Sequence, residues 1–472
     1  MRLLMYHQIQ MIYYCNKKNK TFFLSTHTKF TIMYFINLNI DSKPISYRKQ
    51  VLNNITEDVK NTIIWFCELI DAELIDLQIE EEDLMSTDGL ISVYTIKYSL
   101  RDKKDGAICN YKTFIPRFIG NYIIINGQRY VFIYSIADKF LDRFGTESMD
   151  AKLSNLYRKV VFKNVLDETK PIIYESKHKT LPVLNFLILY LLKNDESLME
   201  SNLSLLDLLY MVLQQTGFQV DMRELDNNQS NKVTTVTKRK KVKYITTQET
   251  ETSIVYTDTS VNKQLIVDVT YESNYRRRFA KSFKDYGGSR LLERLMGKHS
   301  FELMTLLYGE LNAIFDPLVR REFKDPYYFL FTFVPSNDFY NYIKNCGLYS
   351  SLKSKTVRFK TFLLHPLVRQ LMHLVYERIR TRKLPRKHST SLSILHKIMQ
   401  VEYVEDKIHN PISEVMLQLK ATYAHKFAMK RLSHKIRLIT DMLGYLDPIV
   451  TPESKKVGSV NYLVWQFEHN ID

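Results

Sequence analysis

Between Ile45 and Ile136 the spacing of apolar residues changes from the helical period to the strand period. That change restricts the chain to folds in which helices and sheets share a core. Val51, Ile55, Val59, Ile63, Ile64, Cys67 and Ile70 recur at helical spacing and predict one or two helices over Ile45–Asp76. The acidic run Glu80–Asp83 that follows predicts a solvated turn. From Leu90 onward Ile91-Ser92-Val93-Tyr94-Thr95-Ile96-Lys97-Tyr98 alternates with period two. A second strand pair brackets Asn126-Gly127, both of which tolerate the positive φ of a tight hairpin.

Further along, Leu181–Leu213 is Leu-rich and reads as helix interrupted near Asn194-Asp195-Glu196. Its apolar run, Leu181–Leu192, is broken by Pro182 and Asn185 and is too short to span a bilayer, so a buried helix is expected. Asp221–Asp258 is polar, contains Lys238-Arg239-Lys240-Lys241, and reads as a loop or an extended hairpin. Helices are expected over Ser289–Leu318, an aromatic strand over Pro326–Val334, and a helix over Leu367–Ile379. A basic connector, Arg382–His388, leads from that helix to the final segment. The fold class expected is α+β, multidomain.

Charge narrows the partners. The 472 residues carry a formal net charge of +16. From Ser351 to Asp472 there are 21 Lys and Arg against 10 Asp and Glu, so +11 lies in the last quarter. Such a region is the electrostatic footprint of a polyanion-binding protein. An AT-rich genome would raise Lys everywhere but does not account for the clustering. Only 13 glycines, and no phosphate loop around Gly287-Gly288, argue against a nucleotide-cradling enzyme. Cys15, Cys67, Cys109 and Cys346 are isolated, with no zinc-ligand spacing, and read as reduced thiols. His425 and His434 are too far apart for a metal pair on one helix face. Residues 1–44 hold a single acidic residue, Asp41, and read as an extension that is disordered or not translated, with Met33 as an alternative start.

Three segments resemble, in order, segments of the β subunit of bacterial-type multisubunit RNA polymerase. Phe114-Ile115-Pro116, then Gly120-Asn121-Tyr122-Ile123-Ile124-Ile125-Asn126-Gly127-Gln128-Arg129, resembles an "IPLM" strand followed by "G-T-F-I-I-N-G-T-E-R-V". Lys177-His178-Lys179-Thr180-Leu181-Pro182 resembles "R-R-R-K-L-P-A" ahead of a lobe helix. The most specific is the third. Asn410-Pro411-Ile412-Ser413-Glu414 resembles "N-P-L-S-E". Pro448-Ile449-Val450-Thr451-Pro452-Glu453 with Gly458, Asn461 and Leu463 then resembles "P-I-E-T-P-E-G-P-N-I-G-L-I-N-S-L". The likeness covers about Leu90–Leu463 and is thin between Asp221 and Phe283.

The resemblance implies protrusion, lobe and fork domains: 45–170 and 351–400 as the two parts of the protrusion, 171–350 as the lobe, 401–472 as the fork-like segment. The chain ends nine residues after the third motif, as in the split β subunits of large-genome (jumbo) bacteriophage polymerases. The implied partners are therefore a carboxy-terminal β fragment, β′-like fragments, a promoter-specificity subunit, template DNA and RNA, with no membrane. The implied location is the cytoplasm of an infected bacterial cell, or the virion. No D-x-D-G-D run is present, so catalytic Mg in the assembled enzyme would be held by a β′-like chain. No cofactor or metal is expected on this chain, nor any catalytic residue.

Under the same resemblance Lys420, Lys430, Arg431, Lys435, Arg437, Lys455 and Lys456 would contact nucleic acid, with Lys426 evenly balanced against a solvated loop. Asn126, Gly127, Pro411, Glu414, Pro452, Glu453, Gly458 and Asn461 would be structural. Leu417, Lys407 and Thr422 replace the family's His, Asp and Ser of the rifamycin pocket, which implies an enzyme insensitive to rifamycins. The rival expectation is a stand-alone basic DNA-binding or internal virion protein.

Overall fold

The computed structural model describes residues 43–86, 88–144, 149–154, 158–195, 197–200, 203–225, 245–284, 307, 309–311, 314–315, 323, 326–346, 355–397, 401–404, 416–423, 445–447 and 460–464. The expectations for residues 1–42, for Lys238–Lys241 and for most of Ser289–Leu318 lie outside them.

Helices α1 (Lys43–Asn53) and α2 (Ile55–Ile70) form where helical spacing predicts them. In α2 the residues Ile55, Val59, Ile63, Phe66, Cys67 and Ile70 make one buried stripe. The helix stops at Asp71, whose φ of 53° is left-handed and whose N–H donates to the Cys67 carbonyl. Asp is one of the few residues other than Gly that accept this conformation.

Strands β1 (Ala72–Ser86), β2 (Gly89–Asp102) and β3 (Ile108–Pro116) follow as an antiparallel meander. Glu80–Asp83, expected as a turn, lies inside β1, and its neighbours explain why. Lys97 Nζ is 2.6 Å from Glu80, and Arg117 reaches Glu81 at 3.1 Å and Asp83 at 3.3 Å. Thr95 donates to Glu82 at 2.6 Å. Cross-strand cations and hydroxyls offset the repulsion among four carboxylates in a row, which stay open to water.

Strands β4 (Phe118–Ile119), β5 (Tyr122–Ile125), β6 (Gln128–Phe132) and β7 (Tyr134–Asp138) complete the first half. Asn126 and Gly127, with φ of 55° and 73°, form the two-residue turn between β5 and β6 as expected. Gly127 N donates to Leu90 O at 2.8 Å, which seats the turn on Gly89.

The middle of the chain contains β8 (Leu141–Arg143), β9 (Ala151–Ser154), β10 (Lys159–Lys163), β11 (Ile173–Glu175) and β12 (Thr180–Pro182). Helices α3 (Val183–Asn194) and α4 (Leu205–Gln215) come next. Every residue of α3 from Val183 to Leu192 is buried. Asn185, the polar interruption, exchanges two hydrogen bonds with the Lys284 backbone, at 2.9 and 3.1 Å. Ser204 and Asp207 cap the start of α4 reciprocally. Then come β13 (Gln219–Glu224), β14 (Ile245–Glu249), β15 (Ser253–Asp258), β16 (Lys263–Asp268), α5 (Asn274–Ala280) and α6 (Asn337–Asn345).

Pro326–Val334, expected as a strand, is instead a helical turn running into a π-helical turn over Phe329–Phe333. Val334 N donates to Phe329 O at 2.8 Å. Consecutive aromatics do not distinguish a strand from a buried helical segment, and packing decides. Phe329, Leu330 and Phe331 all enter the core, with Phe323 and Phe339 against Phe329.

The last part comprises β17 (Lys355–Arg358), α7 (His365–Thr381), β18 (Lys387–Ser389), β19 (Val401–Tyr403), β20 (Lys420–Tyr423) and β21 (Val460–Tyr462). Among the described residues the strands form five sheets, in the orders β1-β2-β3-β18, β12-β11-β10-β9-β8, β13-β16-β15-β14, β17-β7-β20-β21 and β19-β6-β5-β4. The fold is mixed α+β, as the two periods predict.

Two large hydrophobic cores result. One draws on residues from Val51 to Ala137 and again from Val357 to Leu463. The other lies between those stretches in sequence, from Leu141 to Ile343. The Trp65 indole packs against both. Cys67 and Cys109 are buried free thiols. No helix among the described residues is long and apolar enough to cross a membrane.

Candidate nucleic-acid interface

The sheet β17-β7-β20-β21 is where distant segments meet. Strand β7 begins just beyond the Asn126-Gly127 hairpin, β20 lies six residues after Glu414, and β21 falls between Gly458 and Leu463. Ala421 is paired with Tyr134 on one side in parallel and with Asn461 on the other antiparallel. Leu463 N donates to Leu419 O, and Asp447 N to Tyr462 O, each at 2.8 Å. One ladder thus ties together chain separated by some three hundred residues.

Because side chains alternate across a strand, this register sorts them onto two faces. Val357, Tyr134, Ile136 and Ala421 enter the first core. The opposite face carries Arg358, Ser135 and Thr422 in one cross-strand row, with Lys420 and Tyr462 beside it. All four polar side chains are enclosed: Arg358 is 3% exposed, Ser135 0%, Thr422 9% and Lys420 6%. Lys420 Nζ stands 5.9 Å from the centre of the Tyr462 ring. Ser135 Oγ has no hydrogen-bond partner among the described residues, an unusual state for a buried hydroxyl.

The face thus gathers two cationic side chains and two hydroxyls within the fold, a donor-rich set in a largely enclosed position.

Of the residues singled out from sequence, Lys420 lies on this face, but as an enclosed group rather than a solvent-facing one. Asn461 pairs through its backbone with Ala421, and Asn126 and Gly127 form their turn. Lys430, Arg431, Lys435, Arg437, Lys455, Lys456, Pro411, Glu414, Pro452, Glu453 and Gly458 lie outside the described residues, as do Lys426 and Lys407. Sequence reading missed Arg358 and Ser135. Nothing local marks them, since their place depends on the pairing of β17 and β20 with β7. Among the described residues no group of three or more His, Cys, Asp or Glu is placed to hold a metal ion.

Compared with known proteins, the chain matches no family model and no curated protein.

Proposed function

We propose that this chain is the amino-terminal part of the β subunit of a multisubunit DNA-dependent RNA polymerase. In that role it forms one wall of the DNA and RNA cleft and the fork beside the active centre. The observation that carries the reading is the ladder β7-β20-β21. It pairs β7, which follows the first polymerase-like run, with β20, six residues beyond Glu414, and β20 with β21, inside the second half of the third motif; with β17 its enclosed face bears Arg358, Ser135, Thr422 and Lys420.

In this reading the chain is inert alone. Catalytic Mg is bound by a β′-like chain, and a carboxy-terminal β fragment completes the fork. The protrusion-like parts correspond to 45–170 and 351–400, the lobe to 171–350 and the fork to 401–472. A drug pocket bearing Leu417 and Thr422 would bind rifamycins poorly, leaving RNA synthesis unaffected at low drug concentration.

The test is affinity purification of the tagged chain from its native infected or producing cell, with mass spectrometry of what accompanies it. Recovery of β-carboxy-terminal and β′-like chains together with DNA-templated RNA synthesis is the expected result. Recovery of the chain alone, still binding DNA, would replace this reading with that of a stand-alone DNA-binding protein.

A further inference from the structure

The basic connector Arg382–His388 is not absorbed by the proposed site. Its surroundings assemble a second cationic surface from two turns far apart in sequence. One turn, Lys103–Gly106, joins β2 to β3; the other, Arg382–Arg386, leads from α7 into β18.

Both turns are fastened to one ion pair. Arg378 donates to both oxygens of Asp102, and its Nη1 also donates to Arg382 O at 3.1 Å. Asp102 Oδ1 accepts from Lys104 N at 2.9 Å. Farther along, Asn110 N donates to Arg386 O at 2.9 Å, Tyr111 Oη to Pro385 O at 2.9 Å, and β18 pairs in parallel with β3. The backbone carrying the cations is pinned at each step.

Lys103, Lys104, Lys383, Arg386 and Lys387 are all exposed, and none makes an ion pair among the described residues. The nearby carboxylates are largely engaged. Asp102 is held by Arg378, and Glu377 pairs with Arg380 at 2.9 Å. Asp105 in the first turn, and Asp71, whose carbonyl accepts from Lys103 N at 3.2 Å, each add a negative charge there. The six acidic residues of β1 lie on the opposite edge of the same sheet, facing Lys97, Arg101 and Arg117. Four of those six, Glu73, Glu80, Glu81 and Asp83, are paired with these cations.

We infer that the ridge formed by Lys103, Lys104, Lys383, Arg386 and Lys387 binds the sugar–phosphate backbone of a nucleic-acid duplex. Five exposed cations that outnumber the unpaired carboxylates beside them, set on pinned backbone, complement a fixed lattice of phosphates. The cations come from two separate turns, which lets the ridge reach more than one phosphate. A single-strand site requires exposed aromatic platforms for the bases. The ridge carries none, because Tyr111 is buried beneath it. The binding is accordingly independent of sequence.

This proposal deepens the polymerase reading, since the ridge lies in the protrusion-like parts assigned to the cleft wall; that reading is decided by what co-purifies, whereas the ridge is decided by duplex binding. The test compares wild-type and variant chains, each recovered from the native cell with whatever accompanies it. Binding to a labelled duplex of arbitrary sequence is titrated between about 50 and 200 mM salt. The triple variant Lys383→Ala, Arg386→Ala, Lys387→Ala is expected to weaken binding about tenfold or more. It should also flatten the log–log salt slope by roughly three, close to one for each phosphate that is no longer neutralised. The pair Lys103→Ala, Lys104→Ala, which leaves β18 untouched, should act in the same direction. A control triple at Lys60, Lys177 and Lys179 should not, and unchanged melting of each variant guards against misfolding. Unchanged affinity and slope in both ridge variants would overturn the proposal. So would loss of binding to phosphatidylserine vesicles with duplex binding intact, or equal ridge-dependent binding of single strands.

Discussion

Arg378 grips the carboxylate of Asp102 with both ends of its guanidinium, Nη1 at 2.5 Å from Oδ2 and Nη2 at 3.0 Å from Oδ1. The pair links the end of α7 to the end of β2, and both side chains are almost fully enclosed. Removing one partner strands the other charge. Arg378→Met is expected to cost about 3–5 kcal/mol in urea unfolding, with Asp102→Leu added to it recovering much of the loss. A single variant within about 0.5 kcal/mol of wild type would show that the pair does not hold these elements together. Burial pushes the Asp102 carboxyl up, but hydrogen bonds from Arg378 and the Lys104 amide outweigh it and set it below the usual carboxylate range. Its contribution is thus complete above that range and is lost as pH falls through the lowered value.

Arg48 presents the opposite case. It is 2% exposed, donates to the Phe132 carbonyl and lies 4.9 Å from the Phe359 ring centre, while Nε and Nη1 have no partner among the described residues. Burial draws its pKa down to about 10. A buried cation without a carboxylate costs more than a well-packed apolar chain of the same length. Arg48→Met should unfold at the same urea concentration as wild type or a higher one. A drop of more than about 1 kcal/mol would mean that Arg48 serves a counter-charge in the assembled protein.

Gly89 has φ of 128°, and a Cβ there would stand 2.8 Å from the Asn126 carbonyl carbon. Gly106 also has positive φ, but open space surrounds its Cβ direction. Gly106→Ala should therefore lose about 1 kcal/mol from backbone strain alone. Gly89→Ala should lose clearly more, because the Asn126-Gly127 turn must move. Equal losses, measured by thermal or chemical melting, would show that the turn does not bear on β2.

His365, at the start of α7, is drawn down to about 4, first by burial and then by the Arg369 charge. The unfolded chain binds a proton there near pH 6.5 and the folded chain does not until about pH 4. Stability should fall as pH drops through that window, by about 3 kcal/mol at most from this group. His365→Gln should flatten the pH dependence of the urea midpoint between about pH 6.5 and 4. An unchanged slope would assign the acid sensitivity to other groups.

Local sequence determined the elements whose reasons are local. The buried stripe of α2 follows from the recurrence of Ile55, Val59, Ile63 and Ile70. The β5–β6 turn follows from two residues that accept positive φ, and α3 is buried because its apolar run leaves no polar face. Tertiary structure decided the rest, because the deciding partner is remote. Glu80–Asp83 joins a strand once Lys97 and Arg117 lie across from it. Phe329–Phe333 coils because three of its side chains find a core together. The row of Arg358, Ser135 and Thr422 exists only in the register of β17 and β20 on β7. The basic ridge exists only because Arg378 meets Asp102, 276 positions away. Periodicity reports which face of an element is apolar; it carries no record of which element will cover that face.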